Sequence, residues 1–205
     1  MRQEPTMEDR NDIRRKIRTR RRSLSHSTRT KMARQLAQHL AQTSIFRSSR
    51  NIACYLPNDG EMDTAPIIQN IRAANKKCYL PMLRKPYHDR MWFVPYRKDD
   101  KLTNNIFGIP EPAANFRERI SLLHLDLVIT PLVAFDLAGN RLGMGGGFYD
   151  KTFSFLKNRQ FWRKPRLFGI AYEFQQIEKL EPHPWDVPLD EILTEVERYK
   201  ISSYE

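Results

Sequence analysis

Between residues 51 and 82 the chain alternates a short apolar run, a helical stretch and a second apolar run. No other feature narrows its fold as much. Asn51-Ile52-Ala53-Cys54-Tyr55-Leu56 reads as a buried strand, which Pro57-Asn58-Asp59-Gly60 ends. Thr64 can cap a helix with Pro66 in its first turn, and Ile67, Ile68 and Ile71 give that helix an apolar face to about Ala74. Cys78-Tyr79-Leu80-Pro81-Met82 is the next strand. Consecutive β-α-β units of this kind imply a parallel sheet with right-handed crossovers. Open α/β sheets take their ligands beyond the carboxyl ends of the strands. Glu61 falls there, and the competing account of it is an exposed loop carboxylate.

Two helices precede this unit. Asp9 or Asp12 can open the first, to Leu24, whose narrow apolar stripe is Ile13, Ile17 and Leu24. Almost everything else in it is basic. Most of Arg15 to Arg22 reads as a solvated charged face, with nucleic-acid binding or contact with a bound phosphate as alternatives. Arg10 and Arg14 stand one turn apart and can act together. Ser25 or Ser27 caps a second helix to about Gln42, buried through Met32, Leu36 and Leu40. Beyond residue 90, Met91 to Tyr96 looks like a strand whose aromatics suit a core. Phe107-Gly108-Ile109-Pro110-Glu111-Pro112 is stiff and extended, so Phe107 is a wall of a pocket or a cover over the core. Leu125 to Thr130 is the strongest strand signal of all.

A glycine cluster follows that strand and a turn. Of eight glycines in the chain, four lie in Gly143-Met144-Gly145-Gly146-Gly147, ahead of a helix read from Phe148 to Leu156. Glycine costs backbone entropy, so a cluster needs a reason, and close approach of backbone to a ligand is the usual one. Successive backbone N–H groups there can cradle an anion. The loop is not a Walker A motif, because no Lys-Ser/Thr pair follows, and Phe148 stands where the dinucleotide fingerprint needs its last glycine. Asp150 at the helix start can meet a divalent ion that bridges phosphates. A second carboxylate, Asp186, follows Trp185 and precedes the strand-like Ile192-Leu193-Thr194; the nearby His183 reads as structural.

Bulk properties exclude some classes. At 205 residues with 40% hydrophobic side chains, one domain over 1–205 with an ample core is expected, its core at about residues 9–195. No apolar run approaches the ~20 residues that cross a bilayer. The polar opening Met1 to Pro5 lacks the stretch of a secretory signal, so a cytoplasmic protein is expected, with Cys54 and Cys78 as buried thiols. The net charge of +11 favours polyanionic partners without choosing among them.

Taken in order, the basic helix with Arg10 and Arg14, Leu56-Pro57 with Gly60-Glu61-Met62-Asp63-Thr64, Gly108 to Pro112, Gly143 to Asp150, and Asp186 to Asp190 resemble the bacterial type of 5-formyltetrahydrofolate cyclo-ligase. That family is also called 5,10-methenyltetrahydrofolate synthetase. The resemblance implies a three-layer α/β sandwich with a mostly parallel sheet, like ribose-5-phosphate isomerase and the CoA transferases. It implies an ATP- and Mg²⁺-dependent ring closure of 5-formyltetrahydrofolate, polyglutamylated forms included, to 5,10-methenyltetrahydrofolate, by a monomer. The residues that match the family's ATP contacts are Arg10, Arg14, Gly143, Met144, Gly145, Gly146, Gly147, Phe148, Tyr149 and Asp150. Those that match its folate contacts are Leu56, Glu61, Trp92 and Phe107, and those that match its metal ligands are Asp150 and Asp186. Arg10 stands where the family often has Lys, and Phe148 where many members have Tyr. Two other readings differ in kind. A nucleic-acid-binding protein would act through the basic helix, and a sugar-phosphate isomerase of similar fold would need no ATP.

Overall fold

The computed structural model describes residues 9–84, 89–158 and 164–201. Met1 to Pro5 lies outside them. The chain opens with α1 (Arg10–Ser23), α2 (His26–Ala41) and the short α3 (Ser44–Ser48), continues through β1 (Asn51–Ala53), α4 (Ala65–Ala73), β2 (Lys77–Leu83) and β3 (Met91–Pro95), and then forms a small ladder of β4 (Leu102–Asn104) with β5 (Pro110–Pro112). After β6 (Leu127–Pro131) come the hairpin of β7 (Ala134–Phe135) and β8 (Arg141–Leu142), then α5 (Phe148–Phe153), β9 (Arg166–Ile170), β10 (Glu191–Leu193) and β11 (Arg198–Lys200).

The main sheet has seven strands in the order β11-β10-β9-β6-β1-β2-β3. Its five inner strands are parallel and both edges are antiparallel. The β-α-β unit read from the sequence is therefore present, with Ile52 opposite Cys78 and Leu127. Side chains alternate along each strand, so each strand feeds two cores. On one face Ile52, Leu80, Leu127, Ile129 and Phe168 pack under α2 and α4. On the other, Ala53, Phe93, Val128, Leu167 and Ile192 pack under Phe153 of α5 and the loops that carry Leu132 and Leu189. The result is a three-layer α/β sandwich with a mostly parallel central sheet.

Local chemistry explains the helix ends. Asp9 accepts the Asn11 amide at the start of α1, with acid in its first turn and three arginines in its last, as the helix dipole favours. Ser25 caps α2 by accepting the Thr28 amide. Thr64 precedes α4 but does not cap it through its side chain: its hydroxyl donates to the Tyr55 carbonyl at 2.6 Å, and Asp63 accepts the Ala65 amide instead. The helix expected from Phe148 to Leu156 turns into a 3₁₀ segment at Ser154–Asn158. The expected solvated face of α1 is present, with Arg15, Lys16, Arg20 and Arg22 exposed, but Arg21 departs from it: it is fully buried, and it lies with Arg18 and Arg22 against Asp59.

Chain order reverses at β1. It proceeds outward to β2 and β3 on one side, then returns to β6, β9 and β10 on the other. The carboxyl ends of β1 and β6 thus diverge to opposite sides of one crevice, the usual ligand position in such sheets.

Candidate active site

A cavity of about 480 Å³ opens at that crevice. Tyr55 and Leu56 come to it from the end of β1, Pro131 and Leu132 from the end of β6, and Leu83 and Met91 from the antiparallel edge pair. Its lining is mostly apolar, with a few polar groups at its ends, as small-molecule sites usually are. Phe107 and the glycine loop close it from above. Their rings meet edge-on, Phe107 to Phe148, with centroids 5.7 Å apart. Asn105 shapes the Phe107 turn, since its Oδ1 accepts the amides of Phe107 and Ile109.

Glu61 lines the cavity. Its Oε2 accepts the Asn58 amide at 3.0 Å, while the Glu61 amide donates back to the Asn58 carbonyl at 3.0 Å. Burial raises the Glu61 carboxyl above the ordinary range, against the Asn58 amide and the charge of Arg21. The turn is braced from below, because the Tyr55 hydroxyl donates to the Met62 carbonyl and Tyr172 to that of Glu61.

The glycine loop lines the cavity as well. Gly145 and Gly147 hold φ of 107° and 65°, values that side-chain-bearing residues rarely adopt. Arg14 reaches over from α1, and its Nε donates to the Gly143 carbonyl at 2.9 Å. Burial and the neighbouring Arg10 both lower the Arg14 guanidinium from its ordinary value. Beyond Met144 and Gly145 a basic groove continues past Arg15, Arg18 and Arg22.

Asp150 stands beside a buried arginine. Arg141 donates to Asp150 Oδ1 at 2.5 Å and also to the Val187 carbonyl, while the Val187 amide donates to the same Asp150 oxygen at 3.0 Å. Burial lowers the Arg141 guanidinium, and the charges of Asp150 and Asp186 oppose that. Asp186 accepts the His183 amide at 2.8 Å and pairs with Arg10 at 3.6 Å. The two aspartates, 36 positions apart in the chain, thus share one cationic neighbour. No group of three or more His, Cys, Asp or Glu is assembled as a metal cage among the described residues.

Leu56, Glu61, Phe107, Gly143, Met144, Gly146, Gly147, Phe148, Tyr149 and Asp150 all line the cavity. Gly145, Arg14, Arg10 and Asp186 flank it through the contacts above. Trp92 is not among the residues that line it. Alternation along β3 gives Met91 to the cavity and turns Trp92 to the other face, where it stacks on Phe116 with centroids 5.3 Å apart beneath Arg119. Sequence reasoning missed Asp59, Arg21 and Arg141. The signal for Arg141 was a lone cation between an apolar hairpin and the glycines. For Arg21 it was the spacing from Arg14 and Arg18, which puts all three on one side of a helix.

The family model for the 5-formyltetrahydrofolate cyclo-ligase family matches residues 6–195. The chain is 41% identical over 184 residues to the 5-formyltetrahydrofolate cyclo-ligase of Haemophilus influenzae, covering 90% of this chain and 96% of that one. It is 39% identical over 178 residues to the enzyme of the same name from Escherichia coli K12, covering 87% and 96%. In solved structures, the 5,10-methenyltetrahydrofolate synthetase of Aquifex aeolicus matches with a TM-score of 0.79 at 30% identity, over 96% of this chain and 94% of that one. The synthetase from Mycoplasma pneumoniae shares the fold, with a TM-score of 0.70 at 24% identity over 92% and 99%.

Proposed function

The chain belongs to the 5-formyltetrahydrofolate cyclo-ligase family, a family of ligases, and on that premise we propose that it closes the five-membered ring of 5-formyltetrahydrofolate at the expense of ATP. The observation that carries this reading is the cavity at the strand-order reversal, lined both by the Glu61 carboxylate and by the glycine loop on which Arg14 rests. The carboxylate suits a ring that offers N–H donors, the loop a polyphosphate.

The formyl group on N5 is an amide, and its carbon is a poor electrophile. Its oxygen attacks the γ-phosphorus of ATP, and ADP leaves. N10 then attacks the activated carbon and loses its proton, and the oxygen departs as phosphate, which leaves the methenyl bridge. This route needs no covalent nucleophile from the protein. It needs alignment of the formyl oxygen with the γ-phosphate and neutralisation of spreading charge. In the proposal Glu61 accepts N–H groups of the pterin edge, and Leu56, Met91 and Phe107 hold the flat ring. The loop from Gly143 to Tyr149, with Arg10 and Arg14, holds the phosphates. Arg141 adds a buried positive charge beside them.

Magnesium fits the donor set, since Asp150 and Asp186 are hard oxygen ligands that share the neighbourhood of Arg141, and Mg²⁺ commonly takes one or two carboxylates plus phosphate oxygens and water. Bound there, the ion supplies charge neutralisation for the transferred phosphate. The basic groove beyond Met144 suits the glutamate carboxylates of the substrate, single or several.

The test is direct. Purified protein with ATP, Mg²⁺ and 5-formyltetrahydrofolate should build the absorbance of the methenyl product, and its absence at high enzyme sinks the reading. Nucleotide should also raise the melting temperature, which separates this enzyme from an isomerase of similar fold. The cradle has its own test. A Cβ on Gly146 would stand 2.6 Å from the Phe148 ring, well inside contact distance. Gly146→Val should therefore drive that ring or the loop out of place and raise the KM for ATP by about tenfold, the equivalent of the 1–3 kcal/mol that overpacking typically costs. Unchanged ATP affinity would dismiss the cradle.

A further inference from the structure

Three arginines of α1 meet on one carboxylate. Arg18 donates to Asp59 Oδ2 at 2.5 Å, Arg22 donates to Oδ1 at 2.5 Å, and Arg21 reaches Oδ2 at 3.4 Å. Asp59 holds φ of 51° in the turn that delivers Glu61, two residues on. Gly60 lets that turn press against the helix, because a Cβ there would lie 3.2 Å from the backbone carbon and Cβ of Arg21. Arg21 is fully buried, its Nη1 donates to the Leu132 carbonyl at 3.5 Å, and its Nε has no hydrogen-bond partner. Its charge is therefore held mainly by Asp59. Four residues before Arg18 on the same helix, Arg14 fastens the Gly143 carbonyl.

We propose that Asp59 is a positioning residue: by gathering Arg18, Arg21 and Arg22 it locks the Glu61 turn onto α1, so that one helix sets the pterin-side carboxylate and the phosphate-side loop in a single frame. This rests on the reading of the site as a folate and ATP site. Asp59 also tunes Glu61 by charge. Glu61 is faced by Asp59 in its own turn, Arg21 of α1, Tyr55 beyond β1 and Tyr149 of α5. Asp59 pushes the Glu61 carboxyl up and Arg21 pulls it down. Burial works to raise the Asp59 carboxyl too, but its bonds to Arg18 and Arg22 outweigh this and hold it below the ordinary range.

The experiment measures kcat/KM for 5-formyltetrahydrofolate at saturating ATP across pH, in the full chain. Glu61→Gln, which has no carboxyl to titrate, identifies the acidic limb that belongs to Glu61. Asp59→Asn should move that limb down, since a like charge is lost and the arginines are freed. Arg18→Gln with Arg22→Gln should move it up, since Asp59 is left less neutralised. Both variants should raise the folate KM, by about tenfold for Asp59→Asn, as expected for a loosened near-attack geometry. Opposite shifts cannot come from a general loss of structure. If Asp59→Asn shows no cooperative melt, the double variant, which keeps the Asp59–Arg21 pair, carries the test by its upward shift. Limbs that coincide with wild type, or move in the same direction, overturn the proposal. Wild-type protein that makes no methenyl product overturns the functional reading, whereas an active wild type with unmoved limbs overturns only the role of Asp59.

Discussion

Asp150→Asn is expected to lower kcat/KM for ATP by about 10²- to 10³-fold, the range seen when one charge-stabilising group is removed from a reacting phosphoryl or acyl site. Two effects combine in that result. The variant loses a hard oxygen ligand, so the Mg²⁺ concentration for half-maximal rate should rise. It also leaves Arg141 without its closest carboxylate. Arg141 is only 7% exposed, and a buried charge stripped of its partner is costly. A stability loss of roughly 2 kcal/mol should accompany the loss of activity. Denaturant unfolding separates the two. A variant with wild-type Mg²⁺ dependence would remove Asp150 from the metal site, even if it were less stable.

Glu61→Gln should act on the other substrate. Glutamine keeps the shape and can still accept the Asn58 amide, but it presents a neutral carbonyl and an N–H₂ to a pterin edge that itself offers donors. The folate KM should rise about 10- to 100-fold, as for loss of a charged hydrogen-bond partner worth roughly 1.5–3 kcal/mol, with the ATP KM much less affected. The reverse pattern would refute the placement of the pterin. The variant should at the same time be the more stable protein at high pH. Burial raises the folded-state carboxyl, so the folded protein binds the Glu61 proton more tightly than the unfolded chain does. Stability from that group is full below the unfolded pKa and is lost as pH rises through the folded value. Glutamine does not titrate. The melting temperature of Glu61→Gln should therefore exceed that of wild type near pH 8, and the gap should close toward pH 4. A carboxylate kept at a stability cost is what a binding role would leave behind.

The two variants probe different walls of one cavity about 480 Å³ in volume, and α1 touches both the turn of Glu61 and the glycine loop. Its packing is modest, with Ile13 and Ile17 against Val133, Ala134, Leu142 and Leu180. Much of its position is held by polar contacts: Arg14 on Gly143, Arg21 on Leu132, and the group around Asp59. Such contacts to charged groups are directional, so they set the rotation of the helix as well as its distance. With eight basic residues, α1 thus serves the interior of the molecule as well as its surface.

Some of this was legible in the residues alone. The alternation of strand and helix from Asn51 to Met82 dictated a parallel sheet, because each signal is local: apolar run, proline, capping residue, apolar stripe. The glycine loop was legible for the same reason, since four glycines in five positions are a backbone statement that needs no neighbour to read. Position beyond a strand end also singled out Glu61. What the tertiary structure decided was every relation between distant charges. The antiparallel edges β3 and β11, the turn of Trp92 away from the cavity, the union of three arginines on Asp59, and the pairing of Arg141 with Asp150 depend on which segments meet across the sheet. An arginine run looks the same in sequence whether it faces water or a carboxylate 38 residues away, as Arg21 faces Asp59. Periodicity reports which face of an element is apolar, and the partner that meets a charge is set only when the chain closes on itself.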